Sequence, residues 1–260
     1  FEPHPRSVFL PDVPLFRLTP APVKAGLLGA LGFDAVVEQP FTRSFSSVLP
    51  ENFVEDVLVK GLGACHVVTG YDFHYGKGRG GTPQTLQVAG REKNFGVSLV
   101  DAFSDEGGVV VSSSRIREAL ANGNVAEAAG LLGYRYMVEA EVTGGRKLGR
   151  TLGYPTANMA LPADMGLRHG IYAVRFRRAD GALYDGVASF GRRPTVDENG
   201  APLLETYLFD FEGDLYGEIC AVSFFGLLRG EEKFEGLDAL IQQMKRDEAE
   251  ARALLADVRP

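Results

Sequence analysis

Residues 139–158 read EAEVTGGRKLGRTLGYPTAN, and the way this stretch is parsed decides what surrounds it. EAEV closes an apolar run that reads as a strand, and Gly144, Gly145 and Gly149 then strip side chains from a loop that also carries Arg146, Lys147 and Arg150. Backbone amides and cations can meet a polyphosphate together in such a loop. Pro155 fixes the backbone before Thr156, and Asn158 follows two residues later in extended chain, so the hydroxyl and the carboxamide share one side of a strand. Hard neutral oxygens beside a basic glycine loop suit a Mg²⁺ that keeps part of its water and completes its shell on nucleotide phosphates. No Gly-Lys-Ser/Thr opens a helix here, so the pattern is strand, loop, strand and not a P-loop. Taken alone, GGRKLG reads more often as a plain hairpin turn than as a phosphate cradle.

Outward from that stretch the chain divides. From Tyr134 onward short strands alternate with Gly, Pro and Asp-Gly or Asn-Gly turns: YMVEAEV, GIYAVRFRR, ALYDGVASF, LLETYLFDF and YGEICAVSFF, with hairpin signals at Asp180-Gly181 and Asn199-Gly200. Many antiparallel strands without helices predict a closed barrel. An amphipathic helix over about 237–255 follows, with Leu240, Ile241, Met244 and Leu254 on its apolar side.

Before Gly133 the rhythm is βα. Helices are predicted over 22–31, 50–62, 82–96 and the end of 109–123, and strands over 33–39, 65–70 and 97–103 and at VVV (109–111). Such alternation implies a parallel sheet with helices on both faces. A short helix capped by Asn124 leads to the boundary, giving domains of 1–133 and 134–260.

Composition narrows the function classes. The 260 residues carry a net charge of −7 and a pI near 5.2, so no global basic field is available to hold nucleic acid. Cys65 and Cys220 lie in separate apolar runs, which predicts buried free thiols and fits a reducing cytosol. No apolar run approaches a membrane span and no leader is evident. The expectation is a cytoplasmic protein acting on small molecules, with a homo-oligomer left open. The four histidines share no metal-ligand spacing. The chain opens at Phe1, not Met, which predicts residues upstream.

VTGGRKLGRTLGYPTAN closely resembles the signature of riboflavin kinases, and the resemblance runs on through GVASFGRRPT (186–195), LETYLFDF (204–211), DLYGE (214–218) and LRGEEKF (228–234). It implies ATP and riboflavin as substrates and a Greek-key barrel. Gly144, Gly145, Arg146, Lys147, Gly149, Arg150, Thr156 and Asn158 would bind ATP, with Thr156 and Asn158 on the Mg²⁺. Glu205 would be the base for the ribityl 5′-hydroxyl, and Arg192, Arg229, Glu231 and Phe234 would hold riboflavin or FMN. From the residues alone, Glu205 could be a plain exposed strand residue, Arg192 could flank a turn, and Phe234 could staple the following helix.

The N-terminal half resembles the adenylyltransferase module of bacterial bifunctional FAD synthetases, through FEPHP (1–5), PENF (50–53), GYDFHYG (70–76) and SSSRIR (112–117). The resemblance places Gly70, Asp72, Phe73, Ser112, Ser113, Ser114, Arg115 and Arg117 at a nucleotide site, in an α/β parallel-sheet nucleotidyltransferase domain partial at its N-terminus. That family's HxGH motif does not occur in these 260 residues. Either a preceding segment supplies it or the chain cannot adenylylate, and the expected exposed edge of a truncated sheet favours the former. The rival from another class is a flavin-binding or nucleotide-binding regulatory protein that kept the folds and lost catalysis.

Overall fold

The structure is a computed structural model and describes residues 1–144, 154–192, 202–256 and 258. It divides into two compact units, one formed by residues 1–15 and 24–111, the other by residues 16–23 and 112–260.

The second unit is a closed barrel. Its strands are β3 (Met137–Thr143), β4 (Thr156–Ala160), β5 (Gly170–Arg177), β6 (Leu183–Gly191), β7 (Leu203–Leu208) and β8 (Ile219–Arg229). Around the barrel they run β3-β4-β7-β6-β5-β8, every pair antiparallel, with β8 returning to β3. Placing β8 beside β5 after the β5-β6-β7 meander makes a Greek key. Alternation explains which side chains go inside. In β7, Leu204, Thr206 and Leu208 are buried while Leu203, Glu205 and Tyr207 are half-buried. Met159, Tyr172, Phe190, Leu204 and Phe224 lose all solvent contact, and each is worth about 1.5–3 kcal/mol of transfer free energy. Burial holds the Tyr172 phenol far above its usual pKa, and its hydroxyl donates to the Arg168 carbonyl.

The β5–β6 hairpin turns where Asp180-Gly181 predicts it, with Gly181 at φ 88° and Asp180 Oδ1 accepting from the Ala182 amide at 2.9 Å. Asn199-Gly200 lies outside the described residues. The helix Leu237–Ala256 covers part of the barrel's outer surface, burying Ala251 and Leu255 against Ala173, Phe209 and Phe225.

In the first unit, β1 (His66–Gly70) and β2 (Gly96–Val100) pair in parallel, joined by the helix Pro83–Lys93. Thr82 and Thr85 form a reciprocal cap at that helix's start, and Asn94 ends it in the left-handed conformation. The predicted helix over 50–62 is a turn at Pro50–Asn52 continuing as a π-helix, Phe53–Gly61. Phe53, Leu58, Tyr75, Leu86 and Phe95 form the core.

Two expectations fail here. Among the described residues the runs 33–39 and 109–111 are not sheet strands: the former touches a ladder only through the Glu2–Pro40 bridge just past its end and the latter only through Ser104–Val110. Alternation supplies a face but no partner, and Phe33 and Val37 stay exposed. The run CHVV is not buried either. A two-stranded sheet covers one face, so Cys65, His66 and Val68 are exposed, with His66 Nε2 bonded to Ser98 Oγ at 2.9 Å.

Thr206 sits inside the barrel between Ala157 and Ala188, fully buried, and among the described residues its hydroxyl has no hydrogen-bond partner. An unpaired buried hydroxyl costs about 1–3 kcal/mol. Thr206→Val keeps the shape and removes that cost, so urea unfolding is expected to give a stability gain of about 1 kcal/mol; a loss would mean the hydroxyl is paired.

Candidate active site

Strand register assembles the site. On β4, Ala157 and Met159 point into the barrel, so Thr156 and Asn158 belong to the outer face. The β4–β7 pairing sets Asn158 opposite Glu205 and Thr156 opposite Tyr207, and the β6–β7 pairing sets Ser189 opposite Glu205. Directly opposed residues share a face, with Cβ atoms about 4.5–5.5 Å apart. The row extends through Ile171 of β5 to Arg229 of β8. A carboxamide, a carboxylate, a hydroxyl and a guanidinium thus line up on the outside of a sealed wall. Asn158 is buried at 5% exposure, and its Nδ2 donates to the Thr156 carbonyl at 3.1 Å, which turns the amide oxygen the other way.

Two cavities meet at this wall. One of about 480 Å³ lies between the wall residues Thr156, Ser189, Glu205 and Tyr207 and a cover made by Phe234 and by Met244 of the C-terminal helix. The other, of about 360 Å³, is bordered by Pro155, Thr156, Phe211, Asp214 and Tyr216. Thr156 lines both.

The cover is tied down by Arg229. Its Nε lies 3.0 and 3.2 Å from the two Asp247 oxygens, Nη2 is 2.8 Å from Oδ2, and Nη1 donates to the Gly230 carbonyl at 3.0 Å. Gln243 adds a 2.8 Å bond to Asp247 Oδ1, and the guanidinium lies 5.5 Å from the Phe234 ring centre. This is a bidentate ion pair, with side chains 16% and 5% exposed. Glu231 packs where a Cβ on Gly191 would otherwise sit, and approaches His169 Nδ1 at 3.9 Å. Tyr154 and Tyr207 meet edge to face at 4.7 Å, and burial and then the Glu248 charge raise both phenols above their usual pKa.

Of the residues expected at a kinase site, the structure brings Thr156, Glu205, Arg229, Glu231 and Phe234 to the larger cavity, with Asn158 beside Glu205. Gly144 follows β3, while Gly145, Arg146, Lys147, Gly149 and Arg150 lie outside the described residues. Arg192 does not line this cavity and donates to the Ala163 carbonyl at 2.9 Å. Asp247, Tyr154 and Ser189 went unread in the sequence. Asp247 had left a signal, an acid at the helix position that follows Leu240 and Met244 and precedes Ala251 on the apolar face.

The expected nucleotidyltransferase residues fall into two groups. Gly70 closes β1, and the Phe73 amide donates back to its carbonyl at 3.2 Å, in the first unit. In the second unit, Ser112 caps the helix Ser113–Ala121 by accepting from the Arg115 amide, and Arg117 Nε donates to the Phe16 carbonyl at 2.7 Å. Arg115 reaches Glu127 at 3.8 Å. The first unit also holds a cavity of about 510 Å³ among Phe1, Phe9, Phe41 and Phe45 with Arg6 and Arg79 at its border. Its rings meet edge-on, Phe1 and Phe41 at 5.4 Å and Phe9 and Phe41 at 5.9 Å.

The sequence matches the family model for riboflavin kinase over residues 132–255 and that for FAD synthetase over residues 1–115. A bifunctional riboflavin kinase/FMN adenylyltransferase of Escherichia coli (strain K12) is 38% identical, the match covering 100% of this chain and 82% of that protein. The chain belongs to this family. A bifunctional riboflavin kinase/FMN adenylyltransferase of Pseudomonas fluorescens is 40% identical, covering 98% of this chain and 81% of its own length. A solved structure described as a macrolide-efflux protein from Streptococcus pneumoniae superposes with a TM-score of 0.81 at 30% identity, over 96% of this chain and 80% of that one. Among the described residues no helix is long and apolar enough to cross a membrane. Membership of the bifunctional family makes the chain an enzyme of FMN and FAD biosynthesis, a transferase with a riboflavin kinase domain.

Removing one partner of a buried ion pair leaves the other charge uncompensated, at a cost of about 3–5 kcal/mol. Asp247→Ala is expected to lose at least about 3 kcal/mol in denaturant unfolding, while the apolar pair Arg229→Met with Asp247→Leu recovers most of it. Equal losses in the two variants would show that the pair contributes packing and not charge balance.

Proposed function

We propose that residues 134–260 transfer the γ-phosphoryl group of ATP to the 5′-hydroxyl of riboflavin, and that residues 1–133 take part in adenylylating the FMN so formed. One observation carries the kinase reading: Thr156 belongs to both cavities, with Glu205 lining the larger one beside it. A two-substrate transfer needs donor and acceptor pockets that meet at one place, and this is that place.

Riboflavin fits the larger cavity, where Phe234 offers an apolar face to the isoalloxazine ring. Ile171 and Val187, both half-buried, line the same cavity and add apolar surface for the ring. The ribityl chain then runs along the wall toward Glu205. ATP takes the smaller cavity, which is bordered by Pro155 and Thr156, the residues that follow the glycine-rich stretch in the sequence. In the transfer, the 5′-oxygen forms a bond to the γ-phosphorus as the bond to the bridging oxygen of ADP breaks. Glu205 accepts the alcohol's proton.

The Thr156 hydroxyl and the Asn158 carboxamide oxygen are hard, neutral donors on one face of β4, a set that fits Mg²⁺. Among the described residues no group of three or more His, Cys, Asp or Glu could hold a metal, so these two would rely on phosphates and water for the remaining ligands. A bound Mg²⁺ supplies neutralisation of the charge developing on the transferred group.

For the adenylylation, the aromatic cavity of the first unit supports the reading. Edge-to-face phenylalanines suit a planar ring, and Arg6 and Arg79 at the border suit its phosphate. The rival reading is a binding protein that holds the same ligands and carries out no transfer.

Incubating the protein with riboflavin, ATP and Mg²⁺ and separating FMN from FAD by chromatography tests both halves. FMN formation is expected, and further conversion to FAD marks the second activity; neither product would leave the regulatory reading standing. Glu205→Gln is expected to keep riboflavin binding and lose about 10²–10⁴-fold in turnover. Turnover like that of the unsubstituted enzyme would remove Glu205 from its role.

A further inference from the structure

One flank of the smaller cavity is the stretch 211–216, on the connection from β7 to β8. Just past its far end the chain is stitched to β3, where the Gly217 amide donates to the Val142 carbonyl and the Val142 amide to the Glu218 carbonyl, each at 2.9 Å. Its near end is Phe211, whose ring is held by other side chains. That ring meets Tyr184 of β6 edge to face at 4.9 Å and lies 5.8 Å from the Arg178 guanidinium. It also sits so close to Gly213 that a Cβ there would come within 2.9 Å of it.

Arg178 stands in the turn between β5 and β6 and reaches both ends of this flank. Its Nε donates to Glu218 Oε2 at 3.1 Å and its Nη2 donates to Oε1, a bidentate pair whose side chains are 24% and 25% exposed. Its Nη1 lies 3.5 Å from Asp180 Oδ2. Carboxylates along the edge of the guanidinium thus fix its plane while Phe211 lies within cation–π range of it. A rigid fork that pairs along its edge and stacks on its face holds two points of a chain at a set separation, which the single charged point of Lys does not do. Arg178 lines neither cavity, and Phe211, Tyr184 and Glu218 do not line the larger one.

We infer that Arg178 is a positioning residue for the nucleotide pocket: by gripping Phe211 and Glu218 together it fixes the shape of the flank between them. This rests on the reading above that ATP takes the smaller cavity. The flank keeps the same contacts whether the substrate or the transition state is bound, so loosening it weakens nucleotide binding and leaves the transfer step as it was.

Steady-state kinetics of FMN formation by the whole chain, with ATP and riboflavin varied in turn, separates the two pockets. Arg178→Met is expected to raise KM for ATP by about 10–100-fold, with kcat and KM for riboflavin within about twofold of the unsubstituted enzyme. Glu218→Ala breaks the same pair from the other side and is expected to act alike, with no further rise in the double variant; it decides the matter if Arg178→Met does not fold. Arg178→Lys is expected to recover little of the loss, and full recovery would show that Glu218 needs only a neutralising charge, which overturns the positioning role. An unchanged KM for ATP in the variants overturns the inference alone. A rise confined to KM for riboflavin overturns the assignment of ATP to the smaller cavity, and no FMN from the unsubstituted protein overturns the kinase reading itself.

Discussion

The register of β4 on β7 and of β7 on β6 is the constraint on which the rest depends. Side chains alternate across a strand, so a slip of one residue in β7 would send Glu205 and Tyr207 into the barrel and bring Leu204 and Thr206 out. The apolar interior forbids that slip. Leu204 is locked between Met159 and Phe190, all three fully buried, and turning them out would forfeit several kcal/mol at about 1.5–3 kcal/mol per large side chain. The positions of the polar row outside are thus fixed by packing inside, with no hydrogen bond in the site needed to hold them there.

A row of polar groups on an outer wall is only a surface until something covers it. The C-terminal helix does this by burying Ala251 and Leu255 on the barrel, which leaves its earlier turns, with Leu240, Met244 and Asp247, standing over the row. The pair between Arg229 and Asp247 then fixes the spacing between strand and helix. An ion pair taken out of water contributes little net stability, so its value here is geometric: a bidentate fork accepts one orientation of the helix and rejects its neighbours.

Much of this was legible in the residues. The period-two strands of the second half, the turn at Asp180-Gly181 and the terminal helix follow from local pattern, and the pairing of Thr156 with Asn158 follows from their spacing. What local pattern cannot supply is the identity of a strand's neighbour. FDAVVEQ has the composition of a strand but among the described residues joins no ladder beyond the bridge at its end, and CHVV is apolar without being enclosed, which is why Cys65 lies exposed where a buried thiol is expected. The placement of Glu205 opposite Asn158 depends on contacts some 47 residues apart in sequence, and no window along the chain contains both. Asp247 is hidden for a different reason: its partner, Arg229, sits on another element, 18 residues earlier in the chain.

The separation between inside and outside of the barrel wall bears on how such a chain can change over time. Side chains that give cohesion and side chains that do chemistry occupy opposite parities of the same strands, so substitution in one set leaves the other where it was. Conservative exchanges at Met159, Tyr172 or Phe190 alter how firmly the barrel holds together, and exchanges at Ser189 or Ile171 reshape the larger cavity without loosening the interior. Single-residue insertions and deletions enjoy no such freedom, since each would exchange the two sets at a stroke.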